Sequence, residues 1–362
     1  MRTSIIKCTL QEHYAKKFRS SRMNLDSTLA DALYKNTTLT SLDLENNDLG
    51  SRGKSLADLY SNGLGSEYGK ILADALHKII MLTSLDLGNN NLGPEGGKAL
   101  ADTLCKNSTL TTLYLCDNNL GSEGGKALAD APCKNSMPTY LGLRQKDMNE
   151  LGLKEGKTLA AALCKNSTLK DLDLSSNKFG SEEEKTLANA LCKNSMLTSL
   201  KLGYNNFEPE GGKALADALC KNSTLTSLDL QKTELGFEEG KALAYALCKN
   251  STLTSLNIGY INFESEGENA LADALCKNTT LKNLYLQSNN FIELKVIVGA
   301  LCKNSSMTSL NLGCNNFESE EGKIIADIIC KNTILKNLDL NSNKLGSEGE
   351  KHLQIHFART LH

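Results

Sequence analysis

Lys213-Ala214-Leu215-Ala216-Asp217-Ala218-Leu219-Cys220-Lys221-Asn222-Ser223-Thr224-Leu225-Thr226-Ser227-Leu228-Asp229-Leu230 decides the fold, because the chain repeats this stretch in near-copies. Its first half sets apolar residues at helical spacing and is rich in Ala and Leu, both good helix formers. Its second half alternates apolar and polar residues, as a half-buried strand does. Leu225-Thr226-Ser227-Leu228-Asp229-Leu230 returns 28 residues later (253 − 225) as Leu253-Thr254-Ser255-Leu256-Asn257-Ile258. A fixed period of this size marks stacked supersecondary units, none of which buries its apolar face alone.

Working outward, strand starts fall at Leu39, Leu82, Leu110, Pro138, Leu169, Leu197, Leu225, Leu253, Leu281, Met307 and Leu335, about eleven units. Most steps are 28 residues; the exceptions are 43 (82 − 39), 31 (169 − 138) and 26 (307 − 281). The longest step holds Asp58-Leu59-Tyr60-Ser61-Asn62-Gly63-Leu64-Gly65, which matches the end of a strand unit without a full helix before it. The expected order is an N-terminal cap or basic amphipathic segment over 1–28, a solenoid over 29–350 and a C-terminal cap over 351–362.

The leucines read as L-x-x-L-x-L-x-x-N-x-L/F-G followed by a helix. Pattern and period resemble leucine-rich repeats of the ribonuclease-inhibitor-like type, a class that includes the Ran GTPase-activating protein and the arrays of NOD-like receptors. The resemblance implies an α/β fold: a right-handed solenoid, or horseshoe, with parallel strands inside and helices outside. Strands about 4.8 Å apart facing helices about 9 Å apart across a gap of about 10 Å turn the stack by roughly 24° per repeat. The motif's Asn falls on Asn47, Asn90, Asn118, Asn177, Asn205, Asn289, Asn315 and Asn343, and on Asn149 if the fourth repeat carries a three-residue insertion. A short amide there can bond backbone groups that the strand-to-turn bend leaves unpaired. Thr233 and Ile261 replace it in two repeats, which predicts a weak seam around 231–263. Ser122 is the expected N-cap of its helix, and the Gly before it supplies a tight turn.

With 362 residues, 40% of them hydrophobic, core material is ample; 5% aromatics and no Trp make that core a leucine-alanine stack. A net charge of −2 gives no reason to invoke nucleic acid or an acidic membrane. Residues 1–22 are basic, with Arg2, Lys7, Lys16, Lys17, Arg19 and Arg22 against Glu12. Ile6, Leu10, Tyr14 and Phe18 recur at steps of four, so this stretch reads as an amphipathic helix, either capping the first repeat or lying on a membrane surface. No apolar run suits a signal peptide or a membrane span.

Of twelve cysteines, nine occupy one slot before Lys-Asn: Cys105, Cys133, Cys164, Cys192, Cys220, Cys248, Cys276, Cys302 and Cys330. Helices about 9 Å apart hold them too far apart for disulfides, which need α-carbons within about 7 Å. They are expected to pack as small hydrophobes in a reduced, cytoplasmic protein. Asn36, Asn107, Asn166, Asn222, Asn250, Asn278 and Asn304 open N-x-[ST] sequons in the same turn, a row of glycan acceptors in a secretory protein.

Catalytic motifs are not convincing. Gly152-Leu153-Lys154-Glu155-Gly156-Lys157-Thr158 is one residue short of a phosphate loop, and Gly93-Pro94-Glu95-Gly96-Gly97-Lys98-Ala99 marks it as a repeat's helix start. His352 and His356 are four apart but lack the Glu of a zinc helix and any third ligand nearby. The expectation is no enzyme, no cofactor and no metal.

What remains is the inner strand face. The paired positions are Ser41/Asp43, Ser84/Asp86, Thr112/Tyr114, Tyr140/Gly142, Asp171/Asp173, Ser199/Lys201, Ser227/Asp229, Ser255/Asn257, Asn283/Tyr285, Ser309/Asn311 and Asn337/Asp339. The candidate partner-binding set, Asp86, Tyr114, Tyr140, Arg144, Asp171, Asp173 and Lys201, runs from the second repeat to the sixth, where departures from the copied unit also concentrate. Tyr is a common interface anchor, and the excess of carboxylates calls for a protein partner with a basic patch. The reading is a non-enzymatic protein-interaction scaffold. The resemblance adds two alternatives, a GTPase-activating protein for a Ran-like GTPase and the sensor array of a NOD-like receptor. The first class carries an acidic tail, whereas this chain ends in His356-Phe357-Ala358-Arg359-Thr360-Leu361-His362, and the second requires a nucleotide-binding domain.

Overall fold

From Ser41–Asp43 onward each strand is three residues long because only its middle leucine and the leucines beside it meet the core; Leu228 and Leu230 are 1% and 0% exposed. The computed structural model describes residues 6–7, 39–45, 82–90, 92–105, 107–131, 138–145, 153–177, 179–261, 263–292, 294–329 and 331–351. Asn47, the stretch 50–81, Asn149, Cys133, Cys330, His352, His356 and most of both expected caps lie outside the described residues. The chain forms two units, Met1–Phe179 and Gly180–His362.

In the first unit the order is β1 (Ile6–Lys7), β2 (Ser41–Asp43), β3 (Ser84–Asp86), α1 (Gly93–Leu104), β4 (Thr112–Tyr114), α2 (Gly121–Asp130), β5 (Tyr140–Gly142), α3 (Leu153–Lys165) and β6 (Asp171–Asp173). The strands pair in parallel and in sequence order, with Ile6 opposite Leu42, Leu42 opposite Leu85, Leu85 opposite Leu113, Leu113 opposite Leu141 and Leu141 opposite Leu172. Ile6 thus stands in a strand, where the four-residue spacing predicted a helix.

The second unit runs α4 (Ser181–Lys193), β7 (Ser199–Lys201), α5 (Pro209–Lys221), β8 (Ser227–Asp229), α6 (Phe237–Lys249), β9 (Ser255–Asn257), α7 (Glu264–Lys277), β10 (Asn283–Tyr285), α8 (Leu294–Lys303), β11 (Ser309–Asn311), α9 (Ser319–Ile329) and β12 (Asn337–Asp339). Its pairings are likewise parallel, Leu228 meeting Leu256 and Leu284 meeting Leu310. Helices bury Leu and Ala toward the strands, as Leu215, Ala216, Ala218 and Leu219 do in α5. The fold is an α/β solenoid with alternating parallel strands and helices.

Local details correct the sequence reading in two places. Helix α2 begins at Gly121 with Leu120 as its N-cap, so Ser122 lies within the first turn rather than ahead of it. Gly121 does turn the chain, at φ 55, and Gly93 does the same at φ 66. The cysteine slot faces outward: Cys164, Cys192, Cys276 and Cys302 are exposed, and Cys105, Cys220 and Cys248 are partly so. The last turn of each helix rolls this position away from the strands, so these thiols do not pack as core hydrophobes. The phosphate-loop look-alike is the start of α3.

Candidate functional site

Two parallel rows of side chains cross the strands of the first unit. One runs Asp43, Asp86, Tyr114, Gly142, Asp173; the other runs Ser41, Ser84, Thr112, Tyr140, Asp171. Neighbours in a row are one strand spacing apart, about 4.8 Å. Alternation of the strand points both rows to the same side while Leu85, Leu113, Leu141 and Leu172 point inward.

Gly142 breaks the first row, and Tyr140 leans into the gap. A β-carbon at Gly142 would sit 3.3 Å from Tyr140 Cε1, 3.4 Å from its Oη and 3.4 Å from Cys116 Sγ. The Tyr140 ring also packs on Tyr114, with centroids 4.7 Å apart and planes tilted by 44°. Burial pushes the Tyr140 phenol above its ordinary range, and Asp173, Tyr114, Cys116 and Asp171 push it the same way. Burial likewise raises the Cys116 thiol to about 11, helped by the carboxylates of Asp173, Asp117 and Asp86. Cys116 is therefore a protonated thiol near neutral pH, not a nucleophile.

Carboxylates surround this aromatic pair. Asp173 is nearly buried and accepts the Ser175 amide at 3.0 Å. Asp86 accepts the Gly88 amide at 2.9 Å; burial raises its pKa, and Glu45 and Asp43 raise it further. Asp43, Glu45 and Asp86 bring oxygens within 4.8 Å of one another. Such exposed acidic groups are common on protein surfaces and mark no metal by themselves. Arg144 is exposed at the strand exit, where its carbonyl accepts the Asp117 amide at 2.8 Å. Of the seven predicted residues, Asp86, Tyr114, Tyr140, Arg144, Asp171 and Asp173 belong to the first unit; Lys201, exposed on β7, belongs to the second.

The second unit's face is chemically different. Gln231 Nε2 donates to Tyr204 Oη at 3.3 Å, Asn257 Nδ2 to Gln231 Oε1 at 3.1 Å and Gln287 Nε2 to Asn257 Oδ1 at 3.3 Å. Asn311 Nδ2 bonds Asp339 at 3.0 Å. Tyr204 and Tyr260 occupy left-handed positions (φ 60 and 59) at strand exits and reach 39% and 45% exposure at the rim.

Asparagines hold the turns behind both faces. At strand exits, Asn118 Nδ2 donates to Leu87 O at 2.7 Å, while its Oδ1 accepts the Asn90 and Leu92 amides at 3.2 and 3.3 Å. Asn315 and Asn343 act alike, Asn343 Oδ1 accepting the Asn315 and Phe317 amides at 2.9 and 3.2 Å. Where the Asn is missing, the carbonyls still find donors: the replacement Thr233 bonds Leu230 O through its Oγ1 at 2.7 Å, and Asn289 of the next repeat bonds Ile258 O through its Nδ2 at 2.9 Å. The seam at Thr233 and Ile261 thus loses fewer bonds than the sequence alone implies.

The repeating asparagine turn and the leucine register that it closes are what decide the family. A family model described as Leucine Rich repeat matches residues 35–53, 78–101, 106–129, 165–182, 193–216, 221–244, 303–320 and 331–349. The chain is a leucine-rich-repeat protein. Among solved structures, the leucine-rich repeat-containing protein LegL7 from Legionella pneumophila is 21% identical, with a TM-score of 0.51 over 79% of this chain and 94% of that one. The actin-binding site 2 of Leiomodin-1 is 22% identical, with a TM-score of 0.37 over 43% of this chain and 88% of that one. LegL7 bears on the fold alone, and Leiomodin-1 is too distant to carry an argument. A comparison with curated proteins finds no match. Leucine-rich-repeat proteins are in general non-enzymatic scaffolds for protein interaction. No helix among the described residues of this leucine-rich-repeat chain is long and apolar enough to cross a membrane.

Sequence reasoning missed the job of the sequon asparagines. Asn222 Oδ1 accepts the Thr224 and Leu225 amides at 3.0 and 2.7 Å, and its Nδ2 donates to Leu191 O at 2.7 Å. Asn250, Asn278 and Asn304 repeat this arrangement, and all are buried. Their amides are consumed by the fold, so in the folded chain they are not glycan acceptors. The available signal was their fixed place between helix and strand, where helix-end carbonyls need partners.

Proposed function

We propose that this chain is a non-enzymatic interaction scaffold whose partner docks on the strand face of the first unit, across Asp86, Tyr114, Tyr140, Arg144, Asp171 and Asp173. The observation that carries the reading is the aromatic pair at 4.7 Å set among carboxylates on adjacent register positions. Rigid aromatic area with charge at its edge is the usual make-up of an interface anchor. The carboxylate excess favours a protein with a basic patch and gives no support to nucleic acid. The free described cysteines support a reducing, cytoplasmic setting.

The test is a pull-down from a reducing cell extract with two double variants. Asp171→Lys with Asp173→Lys should abolish capture of the specific partner, and capture by the parent chain should fall as salt rises. Lys126→Glu with Lys157→Glu, exposed positions on the helices, should leave capture intact. If only the helix variant disrupts the complex, the strand-face reading is wrong. The GTPase-activating alternative is separated by adding the chain to a Ran-like GTPase and following GTP hydrolysis. Acceleration would replace the scaffold reading.

A further inference from the structure

The notch at Gly142 gives the partner's anchor a chemistry. We infer that the Tyr114–Tyr140 shelf is the seat of an arginine side chain from the partner, its guanidinium stacked on the Tyr140 ring and turned toward Asp171 and Asp173. This inference rests on the strand-face reading above and deepens it.

Three features converge. The first is space. Every other first-unit member of that row carries a side chain, and at Gly142 there is none, so Tyr140 lies down across its own strand. The second is the pair itself. Tyr114 packs against Tyr140 at 4.7 Å and a 44° tilt, making a V-shaped shelf wider than one ring. A flat cation gains on such a surface from the negative face of the ring.

The third is charge. Register places Asp171 opposite Tyr140 and Asp173 opposite Gly142, on the side away from Tyr114. Asp86 flanks Tyr114 on the other side. Burial, with Asp173 and Asp171 behind it, makes a phenolate costly at Tyr140, so the ring stays neutral. The described cations near the shelf are Arg144, exposed at the strand exit, and Lys170, exposed at the strand entry; Lys7 stands at the far end of the row, opposite Asp43.

These features favour arginine over lysine. Arginine is planar, weakly hydrated and able to stack on a ring while its edge donates two parallel hydrogen bonds to a carboxylate. Lysine is a compact, strongly hydrated ammonium with no flat face. The described residues of the second unit offer no equivalent: their amides bond one another, and Tyr285, 36% exposed, stands between Asn257 and Asn311 in the register.

The probe is a fluorescein-labelled octapeptide of Gly and Ser carrying three arginines, with lysine and citrulline versions as controls, followed by anisotropy on the full chain at low salt. Citrulline keeps the shape and loses the charge. The arginine peptide should bind about fivefold or more tighter than the lysine peptide, and the citrulline peptide should not bind measurably. Tyr140→Phe should preserve the preference, because the ring face does the work. Tyr140→Leu should reduce arginine and lysine binding to a common level, with circular dichroism checking the fold. Equal binding of the arginine and lysine peptides, no binding of the arginine peptide, or an unchanged preference in Tyr140→Leu would each overturn the assignment. If the extract partner still depends on Asp171 and Asp173 in those cases, the strand face remains the docking surface and only the arginine seat is lost. If the partner ignores Asp171 and Asp173 while the peptide prefers arginine, the shelf exists but is not where that partner docks.

Discussion

The chain closes its turns with two rows of asparagine, one at strand exits and one at helix ends, and they differ in how much change they tolerate. The strand-exit row holds Asn90, Asn118, Asn177, Asn205, Asn289, Asn315 and Asn343 among the described residues, with Thr233 and Ile261 interrupting it. The helix-end row, Asn107, Asn166, Asn194, Asn222, Asn250, Asn278, Asn304 and Asn332, has no interruption among the described residues. The difference follows from who else can do the work. At a strand exit one carbonyl can take two asparagines: Leu312 O is served by both Asn315 and Asn343, at 2.9 and 3.0 Å. At a helix end one Oδ1 takes two successive amides, as Asn278 takes Thr280 and Leu281 at 3.0 and 2.8 Å. The strand-exit Oδ1 does the same, as Asn118 shows, so the rows part at their carbonyls: Leu247 O is reached by Asn278 Nδ2 at 2.8 Å, with no second asparagine on it among the described residues. Redundancy permits substitution, and a sole supplier does not.

The strongest way to break this contrast is Asn222→Ala. It would strip partners from two amides and from the Leu191 carbonyl, all in a buried turn, and should cost about 3–5 kcal/mol. Urea unfolding monitored by circular dichroism measures it. A loss under about 1 kcal/mol would show that water replaces the side chain and that the helix-end row is no sole supplier.

A charged hook sharpens the comparison. Glu184, buried in α4, accepts the Glu208 amide at 3.2 Å ahead of α5, the kind of bond the asparagines make without charge. It occupies the space left by Gly211, whose absent β-carbon would fall on the carboxylate. Burial raises its pKa from the ordinary 4.5 to about 8; Glu208 and Glu183 add to the rise, while the amide bond and Lys185 oppose it. The folded state therefore holds a proton that the unfolded chain releases near pH 4.5. Stability is full below that pH, falls as pH climbs toward 8 and levels off above it. The melting temperature should drop over this window, by the equivalent of about 1–2 kcal/mol, and Glu184→Gln should flatten the curve. An unchanged slope in Glu184→Gln would assign the pH dependence to other groups.

The smallest effect is expected at the interruption. Ile261→Asn would offer Thr233 an acceptor for its amide, but Leu230 O and Ile258 O already have donors and the buried isoleucine would be lost. The two terms oppose, so stability should move by less than about 1 kcal/mol in either direction. A gain of 2 kcal/mol or more would restore the view of this seam as a weak point, and hydrogen exchange at Thr233 would locate it.

Much of this was legible because a repeat writes its own alignment. All eleven strand triplets from Ser41–Asp43 to Asn337–Asp339 fall where the leucines put them, since a three-residue strand with one inward leucine has a single register. Contacts that cross repeats were not legible. That Gly142 makes Tyr140 lie down depends on two side chains sharing one gap. That Glu184 is buried depends on Gly211 in the next helix. The exposure of the Cys-Lys-Asn cysteines depends on how the last helical turn rolls, which hydrophobic spacing does not record. The sequon asparagines were visible as a pattern, but a glycan motif and a helix-end bond use the same residue.

The helix-end bonds also give the chain a direction in time. Asn222 reaches back 31 residues to Leu191, Asn250 the same distance to Leu219 and Asn278 to Leu247. During synthesis each helix end is therefore made 31 residues before the asparagine that completes it. Shortening such an array from its C-terminal side strands backbone carbonyls at the end of a helix. Shortening it from the other side strands no helix-end carbonyl; it frees a side-chain amide, which can rotate into water, and edge-strand amides such as those of Thr226 and Ser227, which lose Thr198 O. Growth and loss of repeats are thus unequal at the two ends, although the repeats themselves are nearly the same.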